Sequence, residues 1–333
     1  MVVMAEPGNH ASPNRVSPPA EPQQEPHVIV LLCIYHPHEG YLRQQLDSIL
    51  AQTHQNLSIW VSDDGSDGGG QGARALLAEY QARLPAGQLT VVQGPRSGYA
   101  ANFLSLVNRD EIEADYYAFC DQDDLWEPNK LEHVIGKLAT VARAEPALYG
   151  SRTRLIDEQG REIGFSPLFG RPPSFANALV QNLAGGNTMV FNHAAKTLIC
   201  HAGVPNVVSH DWWTYLLVSG AGGTIVYDPT PYIGYRQHEG NLMGANISMR
   251  ARIVRLRWLF QNRFRDWNDL NVAALEDVRE CLSAENQQVL DLFTRARASG
   301  LLTRCALLKQ AGVYRQTRLG NMGLLLAILT NKL

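Results

Sequence analysis

The stretch VIVLLCIYHPHEGYLRQQLDSILAQTHQNLSIWVSDDGSD, residues 28–67, contains two apolar segments separated by an amphipathic one. The first segment, VIVLLCIY at 28–35, is continuously apolar and rich in β-branched residues, as expected of a strand that is buried on both faces. The middle segment has leucine and isoleucine at helical spacing, and LSIWVSDDGSDGG at 57–69 predicts a second strand that runs into a polar, glycine-rich turn. This order predicts a β-α-β unit.

The same alternation continues along the chain. We predict a helix at about 71–84, a strand at 89–94 (LTVVQG), a helix at 99–108 and a strand at 115–121 (DYYAFCD). Right-handed crossovers between successive strands lead to a mostly parallel sheet with helices on both faces. The fold class is therefore predicted to be α/β.

Beyond this region the pattern changes. We predict a helix at 127–143, a hairpin turn at DEQG (157–160), a helix at 174–183 and a strand at NTMVFN (187–192). From about residue 246 the sequence is helical and basic.

Three parts of the chain are therefore predicted. Residues 1–26 hold six of the 17 prolines and read as a disordered tail. Residues 27–245 form the α/β domain, and residues 246–333 form a helical extension.

The net charge of −3 hides an asymmetry between the ends of the chain. Residues 250–333 carry 14 Lys and Arg against 7 Asp and Glu, whereas the rest of the chain carries 15 against 25. This split indicates that the basic end meets something anionic. The five cysteines are scattered without a CxxC pair, which argues against a disulfide framework or a zinc site. Without a long apolar run or a secretory signal pattern, we expect a cytoplasmic protein.

The ends of the predicted strands are polar. In an open parallel sheet, ligands bind outside the carboxyl ends of the strands. Here those ends carry IYHPH, SDDGSDGG, QGPRSG and DQDD, and we expect all four loops to share one edge of the sheet.

The last of these loops places Asp121, Asp123 and Asp124 directly after an apolar run. One aspartate there would be an ordinary cap of the following helix. Three carboxylates so close together repel each other unless a cation lies between them. Oxygen-rich sites of this kind suit Mg²⁺ or Mn²⁺, which also bind substrate phosphates. We favour the metal site over capping.

The segment DQDDLWEPNKL, at 121–131, resembles the DXD region of the family 2 glycosyltransferases, which have a GT-A fold. The opening stretch, from Leu31, is similar to their N-terminal signature. The segment HDWWTYLLVSGAGGTIVYDPTPYIGYRQHEGNLMG, at 210–244, resembles their later half, particularly that of bacterial rhamnosyltransferases. The resemblance covers about 28–245 and implies a GT-A (nucleotide-diphospho-sugar transferase) fold, with a mostly parallel sheet flanked by helices and a helical C-terminal extension.

The resemblance implies which residues bind the donor nucleotide. Asp63 or Asp64 would accept a hydrogen bond from the base, although an Asp-rich turn is common without a ligand. Tyr35 would lie against the base or ribose, unless it is only a half-buried strand residue. Arg96 would reach the nucleotide or diphosphate, or else be a solvated loop residue. Asp121, the first aspartate of the motif, would reach the ribose or sugar.

The resemblance also implies a metal and diphosphate site. Asp123 would hold the divalent ion together with Asp121, and Asp124 would support them or cap the next helix. Arg236 would neutralise the diphosphate. His238 would bind phosphate or metal, or else have only a structural role.

Asp211 matches the catalytic acidic position of the family. Inverting transfer needs a carboxylate that takes the proton from the acceptor hydroxyl as this oxygen attacks the anomeric carbon. The alternative is that Asp211 caps the helix that follows it. Gly186, Asn187 and Trp212 are expected near the sugar or the acceptor.

The resemblance thus implies an inverting, metal-dependent glycosyltransferase that uses a dTDP- or UDP-linked sugar, with L-rhamnose from dTDP as the first choice. The acceptor would be a saccharide, free or lipid-linked, in cell-surface polysaccharide synthesis, and no nucleic acid partner is expected. The alternatives are a UDP-sugar-dependent hexosyltransferase and a catalytically silent nucleotide-sugar-binding protein. A Rossmann oxidoreductase is disfavoured, because no G-x-G-x-x-G follows the first strand.

The basic end offers a candidate membrane contact. The segment MRARIVRLRWLFQNRFRDW, at 249–267, alternates arginines with apolar residues, as in a helix that lies on an anionic membrane or in an interdomain helix with solvated arginines. The chain ends in the apolar segment LGNMGLLLAILTNKL, at 319–333, which is too short to span a bilayer. We expect a peripheral contact on the inner face of the cell membrane.

Overall fold

The computed structural model describes residue 2 and residues 25–65, 71–238 and 263–333. The predicted tail, most of the basic segment at 249–267 and the end of the Gly-rich turn lie largely outside these residues. No helix in the described ranges has both the length and the apolar character needed to cross a membrane.

The first half of the chain has the predicted alternation of strands and helices. The elements are β1 (Val28–Ile34), α1 (Glu39–Leu50), β2 (Leu57–Asp63), α2 (Gln71–Arg83), β3 (Leu89–Gln93), α3 (Tyr99–Val107) and β4 (Tyr116–Cys120). Each boundary lies within about two residues of the predicted one, because burial patterns and turn residues mark these ends clearly in the sequence.

The second half is more irregular. Its elements are β5 (Leu125–Trp126), α4 (Lys130–Leu138), β6 (Ala147–Ser151), β7 (Arg154–Ile156), β8 (Glu162–Phe165), α5 (Phe175–Ala178), a 3₁₀ turn (Gly186–Thr188), β9 (Val190–Asn192), α6 (His193–Ala202), α7 (His210–Gly220), β10 (Thr224–Asp228) and β11 (Ile233–Arg236). The hairpin predicted at 157–160 joins β7 and β8. The helix predicted at 174–183 has only four residues, because its apolar run reflects burial rather than helical periodicity.

Four helices and a short 3₁₀ turn follow near the C-terminus. They are α8 (Arg263–Asp277), the 3₁₀ turn (Arg279–Cys281), α9 (Ala284–Arg297), α10 (Leu301–Gln310) and α11 (Arg318–Leu329).

A seven-stranded sheet with the order β10-β6-β9-β4-β1-β2-β3 forms the centre of the molecule. All its pairs are parallel except those made by β9, which runs antiparallel to β4 and β6. A second sheet of four short strands has the order β5-β11-β7-β8. The mixed α/β architecture with a mostly parallel sheet confirms the predicted fold class.

The core explains why β1 is apolar throughout. Its seven residues are all buried, and successive side chains alternate between two hydrophobic clusters on opposite faces of the sheet. One cluster holds Ile29 and Leu31 together with α3, α6 and α7, and the C-terminal helices contribute Phe293 and Leu324 to it. The C-terminal helices therefore pack on the same core as the α/β domain.

Candidate active site

The carboxyl ends of the parallel strands bring the predicted loops to one edge. Ile34 is paired with Asp63, and Asp63 with Gln93, so these strands end at the same level. Gln122, in the acidic loop, binds Tyr35 twice: its Oε1 accepts from the Tyr35 backbone N–H at 2.8 Å, and its Nε2 donates to the Tyr35 carbonyl at 3.2 Å. The first and fourth loops are thus joined directly.

Tyr35 lies over the loop after β2. The residue is 61% exposed, and a Cβ at Gly65 would stand 2.8 Å from its ring, so a larger residue there would displace the ring from this position. Asp63 is mostly buried but reaches the surface, and its Oδ1 accepts from the Gly65 N–H at 3.2 Å. The structure therefore places Tyr35 and Asp63 side by side, as a base-binding site would need.

Asp64 holds the backbone of the loop that follows β3. Its buried carboxylate accepts hydrogen bonds from the backbone N–H groups of Arg96 and Gly98, and burial nevertheless raises its pKa. Arg96 has a φ of 57°, in the left-handed region that non-glycine residues rarely adopt. Because Asp64 holds this strained loop, Asp63 is the better candidate for contact with a base.

The acidic loop brings three carboxylates together. Burial, followed by the charges of Asp123 and Asp211, raises the pKa of Asp121 to about 7. Asp124 is fully buried, and burial followed by the charges of Asp123 and Asp121 raises its pKa as well. The site therefore holds negative charge that the surrounding protein compensates only in part, which is the electrostatic setting of a cation site.

Asp124 links the acidic loop to two distant segments of the chain through hydrogen bonds. Its Oδ2 accepts from Asn187 Nδ2 at 2.7 Å, and its Oδ1 accepts from the Arg236 backbone N–H at 3.1 Å. The alternative that Asp123 or Asp124 caps the next helix is wrong, because α4 begins at Lys130 with Asn129 at its cap position.

Lys130 supplies the buried positive charge beside the loop, and sequence reasoning missed it. Its Nζ donates to the Asn187 carbonyl at 2.9 Å and lies 3.4 Å from the centre of the Trp126 ring. Burial lowers its pKa to about 7, while the charges of Asp124 and Asp121 act in the opposite direction. Lys130 thus offsets part of the repulsion within the acidic loop.

Asp123 and His238 form a pair at the edge of the loop. Asp123 Oδ2 lies 2.7 Å from His238 Nε2, and both side chains are partly exposed. A cavity of about 590 Å³ opens beside His238 and is lined by the Asp157–Arg161 turn and Gln237.

The donor set of this region fits a divalent cation. Carboxylate oxygens from Asp121 and Asp123 with one imidazole nitrogen from His238 suit Mn²⁺, and the carboxylates alone suit Mg²⁺. Among the described residues, the three side chains whose ligand atoms already lie mutually close are His201, Glu280 and Cys281, at the surface. Asp121, Asp123 and His238 do not form such a cluster in this conformation, so a cation bound there would require their side chains to rearrange.

Arg236 is placed differently from its predicted role. Its side chain is fully buried, with Nε donating to the Asp123 carbonyl at 2.9 Å and Nη1 to the Glu158 carbonyl at 2.7 Å. Its Nη2 donates to Gln44 Oε1 at 2.7 Å. In this conformation Arg236 braces the acidic loop, and the predicted contact with a diphosphate would require these bonds to break.

Asp211 lies in the first turn of α7. Ser209 occupies the cap position, so the alternative that Asp211 is the cap residue is wrong. Its Oδ1 accepts from the Ser209 hydroxyl and from the Trp212 N–H at 2.7 Å, and its Oδ2 accepts from the Gly186 N–H at 3.1 Å. These bonds fix a partly exposed carboxylate whose charge acts on Asp121.

The 3₁₀ turn that begins at Gly186 connects Asp211 with the acidic loop. The Gly186 N–H binds Asp211, and the side chain of Asn187 binds Asp124. A Cβ at Gly186 would lie 2.4 Å from His210 Nε2 and 3.3 Å from Asp211 Cβ, so this position requires glycine. Gly186 and Asn187 therefore support the carboxylates of Asp211 and Asp124, and their predicted place near the sugar or acceptor stays a prediction.

Trp212 does not face the site. Its ring is 6% exposed, and its Nε1 donates to the Ala178 carbonyl at 2.7 Å within the core. This placement gives no support to the predicted contact with the sugar or acceptor.

His210 and Tyr99 are two aromatic neighbours of Asp211 that sequence reasoning missed. His210 is buried, stacks on Phe103 with ring centres 3.9 Å apart, and has no hydrogen-bond partner for either nitrogen among the described residues. Burial lowers its pKa to about 4. Tyr99 donates its hydroxyl to the Val208 carbonyl at 3.0 Å and is 40% exposed. Burial, then the charges of Asp211 and Asp121, raises its pKa to about 12, so it borders the acidic region.

Comparison with known proteins agrees with this geometry. Residues 29–166 match the family model "Glycosyl transferase family 2". The match covers less than half of the chain. It confirms the predicted resemblance for these residues, and the mostly parallel sheet flanked by helices agrees with the predicted GT-A fold.

Two curated relatives match the chain over different lengths. The dTDP-rhamnosyl transferase RfbG of Shigella flexneri is 28% identical over 230 residues, which are 66% of this chain and 75% of that protein. An uncharacterized glycosyltransferase of Rickettsia felis is 29% identical over 140 residues, 42% of this chain and 22% of that protein. The chain thus spans three quarters of the first relative and about a fifth of the second.

A solved structure also resembles the chain. The mannosyltransferase PcManGT from Pyrobaculum calidifontis, in complex with GDP-Man and Mn²⁺, aligns with a TM-score of 0.48 and 18% identity. The alignment covers 96% of this chain and 89% of that one. A likeness at this level supports no conclusion about the ligands of the present chain.

Proposed function

We propose that the protein is an inverting glycosyltransferase that moves L-rhamnose from dTDP-L-rhamnose to a saccharide acceptor. The observation that carries this proposal is that the turn at Gly186 and Asn187 binds both Asp211 and Asp124, and so holds Asp211 beside the acidic loop that carries Asp121 and Asp123. The family supports sugar transfer, and the name of the Shigella relative supports the choice of donor.

The nucleotide would lie across the ends of β1, β2 and β3. Tyr35 offers an exposed ring for the base or ribose, and Asp63 offers a carboxylate oxygen to the N3–H of thymine. Asp64 fixes the loop that carries Arg96, an exposed residue whose guanidinium would bind a phosphate of the donor.

Asp121, Asp123 and His238 would hold Mg²⁺ or Mn²⁺ beside the diphosphate. When bound, the cation supplies positive charge where negative charge develops on the departing nucleotide. Arg236 holds the backbone of Asp123 in place, and Asn187 holds Asp124. These bonds brace the backbone of the acidic loop before a cation binds, which would limit the reorganisation that electrostatic stabilisation requires.

Asp211 would take the proton from the acceptor hydroxyl. In an inverting reaction the acceptor oxygen attacks the anomeric carbon from the face opposite the diphosphate, while its proton passes to the base. Three hydrogen bonds orient the Asp211 carboxylate, and its charge acts on Asp121, which supports a base beside the proposed cation site.

A donor screen tests the proposal. Purified protein is incubated with Mn²⁺, an oligosaccharide acceptor mixture and, separately, dTDP-L-rhamnose, UDP-glucose, UDP-galactose and UDP-N-acetylglucosamine, and nucleotide release and product mass are measured. We expect transfer from dTDP-L-rhamnose, with an inverted anomeric configuration by NMR. Preference for a UDP-sugar would identify the hexosyltransferase alternative, and binding of nucleotide without turnover of any donor would identify the silent binding protein.

A further inference from the structure

The last helix carries an apolar surface that the core does not cover. Leu319, Met322, Leu325 and Leu329 of α11 have exposed fractions of 65%, 66%, 54% and 52%. Their spacing of three or four residues puts them on one face of the helix. We refer to these four side chains as the apolar stripe. Single exposed apolar residues are common on soluble proteins, but a continuous row of four marks an interaction surface.

The opposite face of α11 fixes the helix to the protein. Leu324, Ala327 and Ile328 are buried, and Thr317 caps the helix by accepting a hydrogen bond from the Gly320 N–H at 3.0 Å. Arg304 of α10 donates to the Ile328 carbonyl at 2.9 Å. These contacts hold the helix in place and direct the apolar stripe outward.

The charged side chains of residues 301–333, which include the last two helices, have one sign. Residues 301–333 contain five Lys and Arg and no Asp or Glu. Arg318 is exposed directly before the first residue of the stripe, and Lys309 is exposed on α10. An apolar face with cationic flanks is the composition of helices that lie in the interface of anionic membranes, where each cation adds to the attraction.

A second copy of the chain is a poorer occupant of this surface. Self-association through the stripe would bring two uniformly cationic helices together. Four side chains also cover only a few hundred Å², whereas a stable dimer buries about 800 Å² on each partner.

We propose that the apolar stripe of α11 docks on an anionic lipid bilayer, with the helix lying parallel to the membrane surface. This proposal assigns the peripheral contact expected from the sequence to its second segment, at 319–333, and names the side chains that make it; the first segment, at 249–267, lies largely outside the described residues. The proposed contact is independent of the donor and of the reaction, so a failure of either proposal leaves the other open to its own test.

Vesicle sedimentation tests this proposal. The full chain is mixed with vesicles of phosphatidylcholine and phosphatidylglycerol, or of phosphatidylcholine alone, and the bound fraction is measured at low and high salt. The variant Met322→Ser with Leu325→Ser removes the centre of the stripe. The matched control is Ile163→Ser, which removes an apolar side chain of similar exposure (55%) on β8. Circular dichroism and the melting temperature check the folding of each variant.

We expect the wild type to bind the anionic vesicles, more weakly at high salt, and to bind the neutral vesicles poorly. The vesicle partition coefficient of the double variant should be at least about tenfold lower than that of the wild type. Burial of a single large apolar side chain already changes a binding constant by about tenfold or more. The Ile163→Ser control should bind like the wild type. If the double variant does not fold, Leu319→Ala with Leu329→Ala keeps helix propensity and should show the same loss.

Three results would overturn the proposal. The first is wild-type protein that does not bind the anionic vesicles. The second is a folded stripe variant that binds as well as the wild type, which would place the contact elsewhere, for example in residues 239–262. The third is a dimeric wild type that the stripe variants convert to a monomer, which would assign the stripe to a second copy of the chain.

Discussion

Replacing Asp211 with asparagine separates its proposed chemical role from its structural one. The amide has nearly the same shape as the carboxylate but is not a base at neutral pH. Loss of a general base typically slows the reaction by about 10²- to 10⁴-fold, which corresponds to roughly 3–5 kcal/mol of transition-state stabilisation. We expect the rate of transfer to fall by at least 10²-fold.

The structure also predicts the effect of Asp211→Asn on stability. Both carboxylate oxygens accept backbone N–H groups, Oδ2 from Gly186 and Oδ1 from Trp212. An amide nitrogen in either position leaves one of these N–H groups without an acceptor, which costs about 1–3 kcal/mol. Urea unfolding should therefore show a modest loss of stability, and activity is measured where the variant is fully folded.

The binding of dTDP should be unchanged in this variant, because none of the hydrogen bonds to the Asp211 carboxylate involves the loops after β1, β2 and β3. Calorimetry with dTDP and single-turnover transfer assays measure the two properties independently. Asp291→Asn is a control, since it removes an exposed carboxylate on α9 and should leave both unchanged. Turnover within threefold of the wild type in a folded Asp211→Asn protein would refute the role of Asp211 as base.

Three further substitutions test the supports of the site. Gly186→Ala places a methyl group 2.4 Å from His210 Nε2. The free energy of unfolding measured in urea should therefore fall by about 1–3 kcal/mol, and the rate of sugar transfer should fall at least tenfold. Unchanged stability would show that the turn accommodates the methyl group. His210→Phe keeps an aromatic ring but removes a group whose folded-state pKa is about 4. In the unfolded chain the His210 imidazole takes up a proton with a pKa of about 6.5, whereas in the folded protein it stays neutral down to about pH 4. As the pH falls from 7 to 5, the unfolding free energy of the wild type should therefore decrease by about 2 kcal/mol more than that of the variant. Equal decreases in the two proteins would contradict this prediction. Lys130→Met removes the buried charge that binds the Asn187 carbonyl, and we expect a loss of about 3 kcal/mol in unfolding free energy, whereas an unchanged midpoint in urea would exclude its role as counter-charge.

The sequence was sufficient to predict the fold, because buried strands and their loops have local signatures. The apolar run at 28–35 and the polar residues after each strand predicted the edge at which Tyr35, Asp63 and Asp121 meet. The short α5 was mispredicted, since an apolar run at 174–183 is equally compatible with a buried irregular segment.

The supports of the site depend on contacts between distant parts of the chain, and these have no local signal. Lys130 binds Asn187, and Arg236 binds the Asp123 carbonyl, over separations of 57 and 113 residues. Trp212 shows the opposite error, because the family resemblance implies a place near the sugar or acceptor whereas its ring is buried. Successive residues of a helix point about 100° apart, so Asp211 faces the site while Trp212 packs in the core.

The most direct test of the acidic edge as a metal and nucleotide-diphosphate site is calorimetric titration of dTDP into the wild type and into Asp123→Asn. Each protein is titrated with Mn²⁺ present and again in EDTA. Asparagine can keep a hydrogen bond to His238 but removes the charge from the cation site. We predict binding to the wild type that weakens at least tenfold both in EDTA and in the variant. Equal affinity under all four conditions, or no binding to the wild type with Mn²⁺, would contradict the account.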